Sequence, residues 1–106
     1  MSRSVYAILD PTTGDVRYIG QTGSALEHRL QEHVYCVNAA LHIDSPLYQW
    51  IGALLKRGKR PDIIALAKGI RNKAEATCIE SALISFHVSN GSRLFNVQFN
   101  PRSKKK

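Results

Sequence analysis

Two strand-forming runs separated by six turn residues constrain this chain more than any other feature. Val5 to Leu9 reads VYAIL, Val16 to Gln21 resumes the same character, and Asp10-Pro11-Thr12-Thr13-Gly14-Asp15 lies between them. β-Branched and aromatic side chains favour extended backbone, whereas Asp, Pro and Gly supply turn chemistry. Six residues cannot make the crossover that parallel strands require, so the runs are predicted to form an antiparallel hairpin that opens the domain.

Thr22-Gly23-Ser24 interrupts the hairpin, and Ser24 with Glu27 has the spacing of a capping box. A helix is therefore expected from about Ala25 to Val37, with Leu26, Leu30 and Val34 (or Val37) as its core stripe. Arg29 and His33 lie four apart and share a second, polar face. Ser45-Pro46 opens a second helix, serine as N-cap and proline at the first helical position. Leu47, Trp50, Ile51, Leu54 and Leu55 form its stripe. Its end carries Gly58 as a stop among Lys56, Arg57, Lys59 and Arg60, a cluster that suits the helix dipole and a phosphate contact alike.

After Pro61, Asp62 to Ala67 is apolar enough to be a third strand in the middle of a small sheet. Asn72 and Glu75 repeat the cap spacing ahead of a helix from Lys73 to about His87. Ala76, Ile79, Leu83 and Phe86, with Ala82, are its expected buried stripe, and Glu80 places a charge in that apolar neighbourhood. Leu94 to Phe99 alternates as an extended return would, and Arg102 to Lys106 is a basic tail. The expected fold is α+β, a three-stranded, mainly antiparallel sheet flanked by about three helices in the order ββααβα. A chain of 106 residues suits one core, so a single domain is expected over residues 1–101, followed by the tail at 102–106.

Fifteen Lys and Arg against eight Asp and Glu give a formal charge of +7, which favours a polyanionic partner, because each phosphate neutralised releases counterions. No apolar run approaches the roughly 18 residues of a membrane span, and no signal-peptide core follows Met1. The chain is thus expected in the cytoplasm, at the nucleoid when bound to DNA, with no membrane partner. Cys36 and Cys78 are too few for a disulfide scaffold and form no C-x-x-C pair, so buried free thiols are expected. Cys36 lies three residues after His33, but a zinc site needs about four ligands.

Arg29, His33, a tyrosine at a strand end (Tyr18) and a lone helical carboxylate (Glu80) are the groups that phosphodiester hydrolysis requires. Attack on phosphorus concentrates negative charge on oxygen, which calls for a fixed guanidinium and usually a metal ion. A tyrosine can take the proton of the attacking water only if neighbouring positive charge lowers its phenol. Arg29 and a metal are expected to do so.

Order and spacing then bring a family into view. Ser4-Val5-Tyr6 with Tyr18-Ile19-Gly20 resembles the paired tripeptides of the GIY-YIG nuclease superfamily. The resemblance continues through Gln21-Thr22, Leu26, Arg29-Leu30 and His33, the helix at Ile79-Glu80-Ser81-Ala82-Leu83-Ile84, and Leu94-Phe95-Asn96. It covers nearly the whole chain, with Ser4 where glycine is usual, and an accessory DNA-binding domain is not expected.

The resemblance implies a magnesium-dependent (or manganese-dependent) endonuclease acting on DNA. Tyr6 would shape the site, Tyr18 would be the general base and Arg29 would hold the scissile phosphate. His33 would hydrogen-bond a tyrosine or relay a proton, and Glu80 would be the single protein ligand to Mg2+. Gly20 would allow close backbone approach to the substrate or a tight turn, and Asn96 would support the site or touch the nucleic-acid backbone. Gln21, Lys56, Arg57, Lys59, Arg60 and Arg71 complete the expected nucleic-acid contacts. Specificity would come from loops, a homodimer, a partner protein or substrate shape. The alternative is a catalytically inactive nucleic-acid-binding module of the same fold, against which the intact set Tyr18, Arg29, His33 and Glu80 argues, because a buried carboxylate without a task is costly.

Overall fold

The structure, a computed structural model, describes residues 2–98. Strands β1 (Arg3–Leu9) and β2 (Val16–Thr22) form the expected hairpin. Asp10 makes the turn: its Oδ1 accepts from the N–H groups of Thr12 and Thr13, and its carbonyl accepts from Gly14, whose φ of +79° suits glycine. Helices α1 (Leu26–Asn38) and α2 (Pro46–Lys56) follow, then β3 (Asp62–Ile70), α3 (Lys73–Ser89) and the one-turn α4 (Phe95–Gln98). All pairings are antiparallel and the sheet order is β2-β1-β3. β1 is therefore central, and β3, expected in the middle, is an edge: the hairpin joins β1 to β2, which leaves only β1's other side for the returning strand.

Register fixes the layers. Tyr6 pairs with Gly20 and Ile8 with Tyr18, so these four residues share one sheet face, and β1's alternate residues Val5 and Ala7 share the other with Ile19. The second face packs with Ile70 and Leu94 against α3 through Ala76, Ile79, Leu83 and Ile84. On the first face α1 brings His33 to Tyr6, and α2 brings Leu47 and Ile51 beside Tyr18 and Phe95.

Several local expectations require correction. Ser24 does not cap α1: its N–H donates to Thr22 Oγ1 in a tight turn, Ala25 takes the N-cap position without a side-chain bond, and Glu27 pairs instead with Arg60 at 2.7 Å. Ser45 and Asn72 do cap, accepting from Tyr48 N–H and Glu75 N–H. Phe86 is 60% exposed and Ala82 is exposed, so the apolar stripe of α3 outlasts the surface it packs on. Cys78 is exposed on α3 and Cys36 half-buried. The stretch from Leu94 is a helical turn rather than a strand, because Leu94 and Phe95 are both buried, whereas alternation would send neighbours to opposite sides. Phe99 and the basic tail at 102–106 lie outside the described residues. Among the described residues no helix is long and apolar enough to cross a membrane.

Candidate active site

The site is built where α1 meets the Tyr6 face of the hairpin. Tyr6 is 1% exposed and His33 2% exposed, so their polar atoms must find partners within the protein. Arg29 Nε–H donates to Tyr6 Oη at 3.3 Å, and Tyr6 Oη lies 3.0 Å from His33 Nε2. His33 Nδ1 lies 3.0 Å from Tyr48 Oη on α2. Burial first, and Arg29 second, press the imidazole down to about 4, so it is neutral near pH 7 and carries one N–H. Arginine only donates, which leaves His33 Nε2 as the acceptor for the Tyr6 hydroxyl; the imidazole proton is then on Nδ1 and donates to Tyr48. The result is a directed chain, Arg29 to Tyr6 to His33 to Tyr48. The polar face of α1 thus turns to the hairpin, with His33 buried and Arg29 half-buried.

Gly20 makes this chain possible. A Cβ there would lie 2.6 Å from Tyr6 Oη and 2.7 Å from Tyr6 Cζ. The close approach expected of this glycine is to the tyrosine ring across the hairpin, and no turn is made at it.

Tyr18 borders the same cleft, about 290 Å³ in volume, with Arg29, His33, His42, Ser45, Leu47 and Tyr48. Its hydroxyl makes no hydrogen bond among the described residues, unlike that of Tyr6. Burial raises both phenols; Glu80 adds to this at Tyr18, and Arg29 opposes it at each. The expected lowering of the Tyr18 phenol is therefore absent in the free protein, because desolvation and a nearby carboxylate outweigh one guanidinium. The Arg29 guanidinium is itself raised: burial works against its charge, but the Tyr6 and Glu32 partners prevail. Its Nη1 donates to Glu32 at 3.0 Å in a surface pair.

Glu80 approaches from α3, in the opposite layer. Gln21 Nε2 donates to Glu80 Oε1 at 2.8 Å and to Thr77 Oγ1 at 3.0 Å, while Gln21 Oε1 accepts from Arg3 Nε at 3.1 Å. Gln21, expected to touch nucleic acid, is engaged in orienting the carboxylate. Among the described residues no three His, Cys, Asp or Glu side chains gather as a metal cage. The donor set fits only a hard cation held by one carboxylate, with water and substrate oxygens as its other ligands.

Asn96 lies on the outer edge of β2, where its Oδ1 accepts from Ile19 N–H at 2.9 Å and its Nδ2 donates to Ile19 O at 2.7 Å. Both ends of its amide are engaged in closing a sheet edge. Lys56, Arg57 and Lys59 are exposed at the end of α2 and make no bond to the tyrosine cluster. Arg60 reaches Glu27, two residues before Arg29, which sets that connection beside the start of α1. Arg71 pairs with Glu75 on the surface of α3 and is not part of the cluster.

Sequence reasoning missed Tyr48, Thr77, Arg3 and Glu32. Tyr48 lies outside the apolar stripe read for α2, Thr77 and Arg3 have no spacing signal because their partner Gln21 is distant in sequence, and Glu32 stands at the i, i+3 spacing from Arg29 that a helix pairs. The family model described as the GIY-YIG catalytic domain matches residues 3–93. Neither the curated proteins nor the solved structures contain a match.

Proposed function

Because the chain belongs to the GIY-YIG family, whose members are endonucleases, we propose that it hydrolyses phosphodiester bonds of DNA with Tyr18, Arg29 and Glu80 at the centre of the site. The observation that carries this reading is the convergence, from both helical layers, of a buried tyrosine–histidine chain, a second unbonded tyrosine, a guanidinium and one oriented carboxylate.

Arg29 is the phosphate holder. Its pair with Glu32 is a surface contact worth little, so a phosphate can displace it, while the Tyr6 bond keeps the guanidinium in place. Tyr6 is a structural phenol, since burial opposes its ionisation and its hydroxyl is committed to His33. His33 holds Tyr6 and in turn is held by Tyr48, so its role is to fix geometry and, through neutral imidazole, to avoid a second cation beside Arg29. Tyr18, which lines the cleft and whose hydroxyl has no hydrogen-bond partner among the described residues, is the general base.

Glu80, held by Gln21, is the ligand for Mg2+ or Mn2+, which when bound supplies charge to the non-bridging phosphate oxygens and to the attacking water. With the Glu80 charge compensated, burial alone would still raise the Tyr18 phenol, and Arg29 and the bound cation would oppose it. DNA is the substrate class proposed on the +7 charge.

The test is cleavage of supercoiled plasmid and of linear and branched duplexes with Mg2+, with EDTA, and with Glu80→Ala. Metal-dependent cutting is expected to vanish in Glu80→Ala while most binding survives. Arg29→Ala is expected to lose about 2–4 kcal/mol of transition-state stabilisation, roughly a thirty- to a thousand-fold in rate. Wild-type protein that binds these DNAs across several metals and never cuts them would instead be a binding module of the same fold.

A further inference from the structure

Arg17 stands immediately before Tyr18 on β2, and its guanidinium carbon lies 5.0 Å from the Phe95 ring centroid and 5.9 Å from that of Trp50. The two rings are themselves 5.5 Å apart. Three elements thus fix one side chain: β2 carries it, α2 supplies Trp50, and α4 supplies Phe95, next to the Asn96 that is bonded to Ile19. Among the described residues Arg17 Nε is sealed from solvent with no hydrogen-bond partner. Among the described residues the arginines 29, 60 and 71 all have carboxylate partners, and Arg17 has none.

Stacking on aromatic rings is favourable for a guanidinium, but a neutral stem of the same length would cover the rings without stranding a buried N–H. What the arrangement adds is a cation partly stripped of water, held in a fixed plane and lacking a counter-charge. A planar guanidinium fork matches the oxygens of a phosphodiester, and preorganisation reduces the entropy lost when one binds. We propose that Arg17, held by Trp50 and Phe95, is a second phosphate site, which grips the nucleic-acid backbone next to the phosphodiester presented to Tyr18 and Arg29. This rests on the nucleic-acid reading of the neighbouring cleft, and it assigns to Trp50 and Phe95 the role of positioning residues for Arg17.

Trp50 is the chain's single tryptophan, so its fluorescence reports on this site alone. Wild-type protein in EDTA is titrated with a fluorescein-labelled oligonucleotide, single-stranded and duplex, following Trp50 emission and label anisotropy together. The two signals are expected to move with one midpoint and to reverse together with salt. Arg17→Met, which keeps a stem on the rings without the charge, is expected to bind about tenfold more weakly at low salt, with a salt slope shallower by about one.

Anisotropy that rises while Trp50 emission stays constant overturns the proposal, as does a folded Arg17→Met protein with the wild-type salt slope. Inorganic phosphate that shifts Trp50 at the same concentrations as the oligonucleotide also overturns it, in favour of a free-anion site. Should Arg17→Met fail to fold, the wild-type fluorescence arm decides alone. Cutting of DNA together with an unchanged salt slope in Arg17→Met removes only this inference, whereas a protein that neither binds nor cuts DNA removes the nucleic-acid reading and this site with it.

Discussion

Tyr6 and His33 show how one hydrogen governs a site. The Tyr6 hydroxyl receives from Arg29 and gives to His33, so imidazole must be neutral and protonated on Nδ1 for the chain to close. The folded protein holds His33 near 4, below its ordinary 6.5. As pH falls through 6.5 the unfolded chain takes up the proton first, so this contribution to stability is complete above 6.5 and disappears as pH approaches about 4. The slope is about 1.4 kcal/mol per pH unit, about 3 kcal/mol in all. Urea denaturation from pH 7 to 4 should show a steeper loss for wild type than for His33→Gln, and parallel curves would contradict the assignment. Gly20→Ala sets a methyl group 2.6 Å from Tyr6 Oη, on a ring too enclosed to retreat. It is expected to destabilise the fold by about 1–3 kcal/mol, read as a drop in denaturation midpoint; an unchanged midpoint would mean that the ring can shift.

At the level of elements, α4 matters beyond its single turn. β2 is an edge strand, whose outward N–H and C=O groups lack a ladder partner, and Asn96 satisfies both of those groups at Ile19. Phe95 meanwhile packs with Leu47 and Ile51 of α2. Asn96→Ala should therefore cost about 2 kcal/mol for two lost bonds and speed amide exchange at Ile19. Asn96→Asp keeps an acceptor and loses the donor, so it should fall between; equal exchange in all three proteins would show that the clamp contributes nothing. Gln21 performs a comparable service at the other end of β2, tying Glu80 on α3 to Arg3 on β1.

For the molecule as a whole, the charge of +7 is spread unevenly in effect, since Arg29, Arg60 and Arg71 are partly neutralised by their own carboxylates. Four of the five residues from Arg102 to Lys106 are cationic. Deleting them is expected to weaken DNA binding and to flatten its dependence on salt, measured as the slope of log affinity against log salt. Loss of cutting at saturating DNA after that deletion would instead assign the tail to the site.

The hairpin, the helix starts at Ser45 and Asn72, the mixed architecture and the spaced set Tyr6, Tyr18, Arg29, His33 and Glu80 were legible in the amino-acid order, because turns, caps and side-chain periodicity act over a few residues. The middle position of β1, the helical turn at Phe95 and the exposure of Phe86 were not, because each depends on which surface lies opposite. The same holds at the site. Sequence spacing can nominate a histidine and a tyrosine, but the direction of a proton between residues 6 and 33, the second partner at Tyr48, and the rise of the Tyr18 phenol under desolvation and the Glu80 charge arise from burial and from contacts between distant segments. Desolvation is a property of the packed molecule, and only the tertiary structure decides which polar groups it reaches.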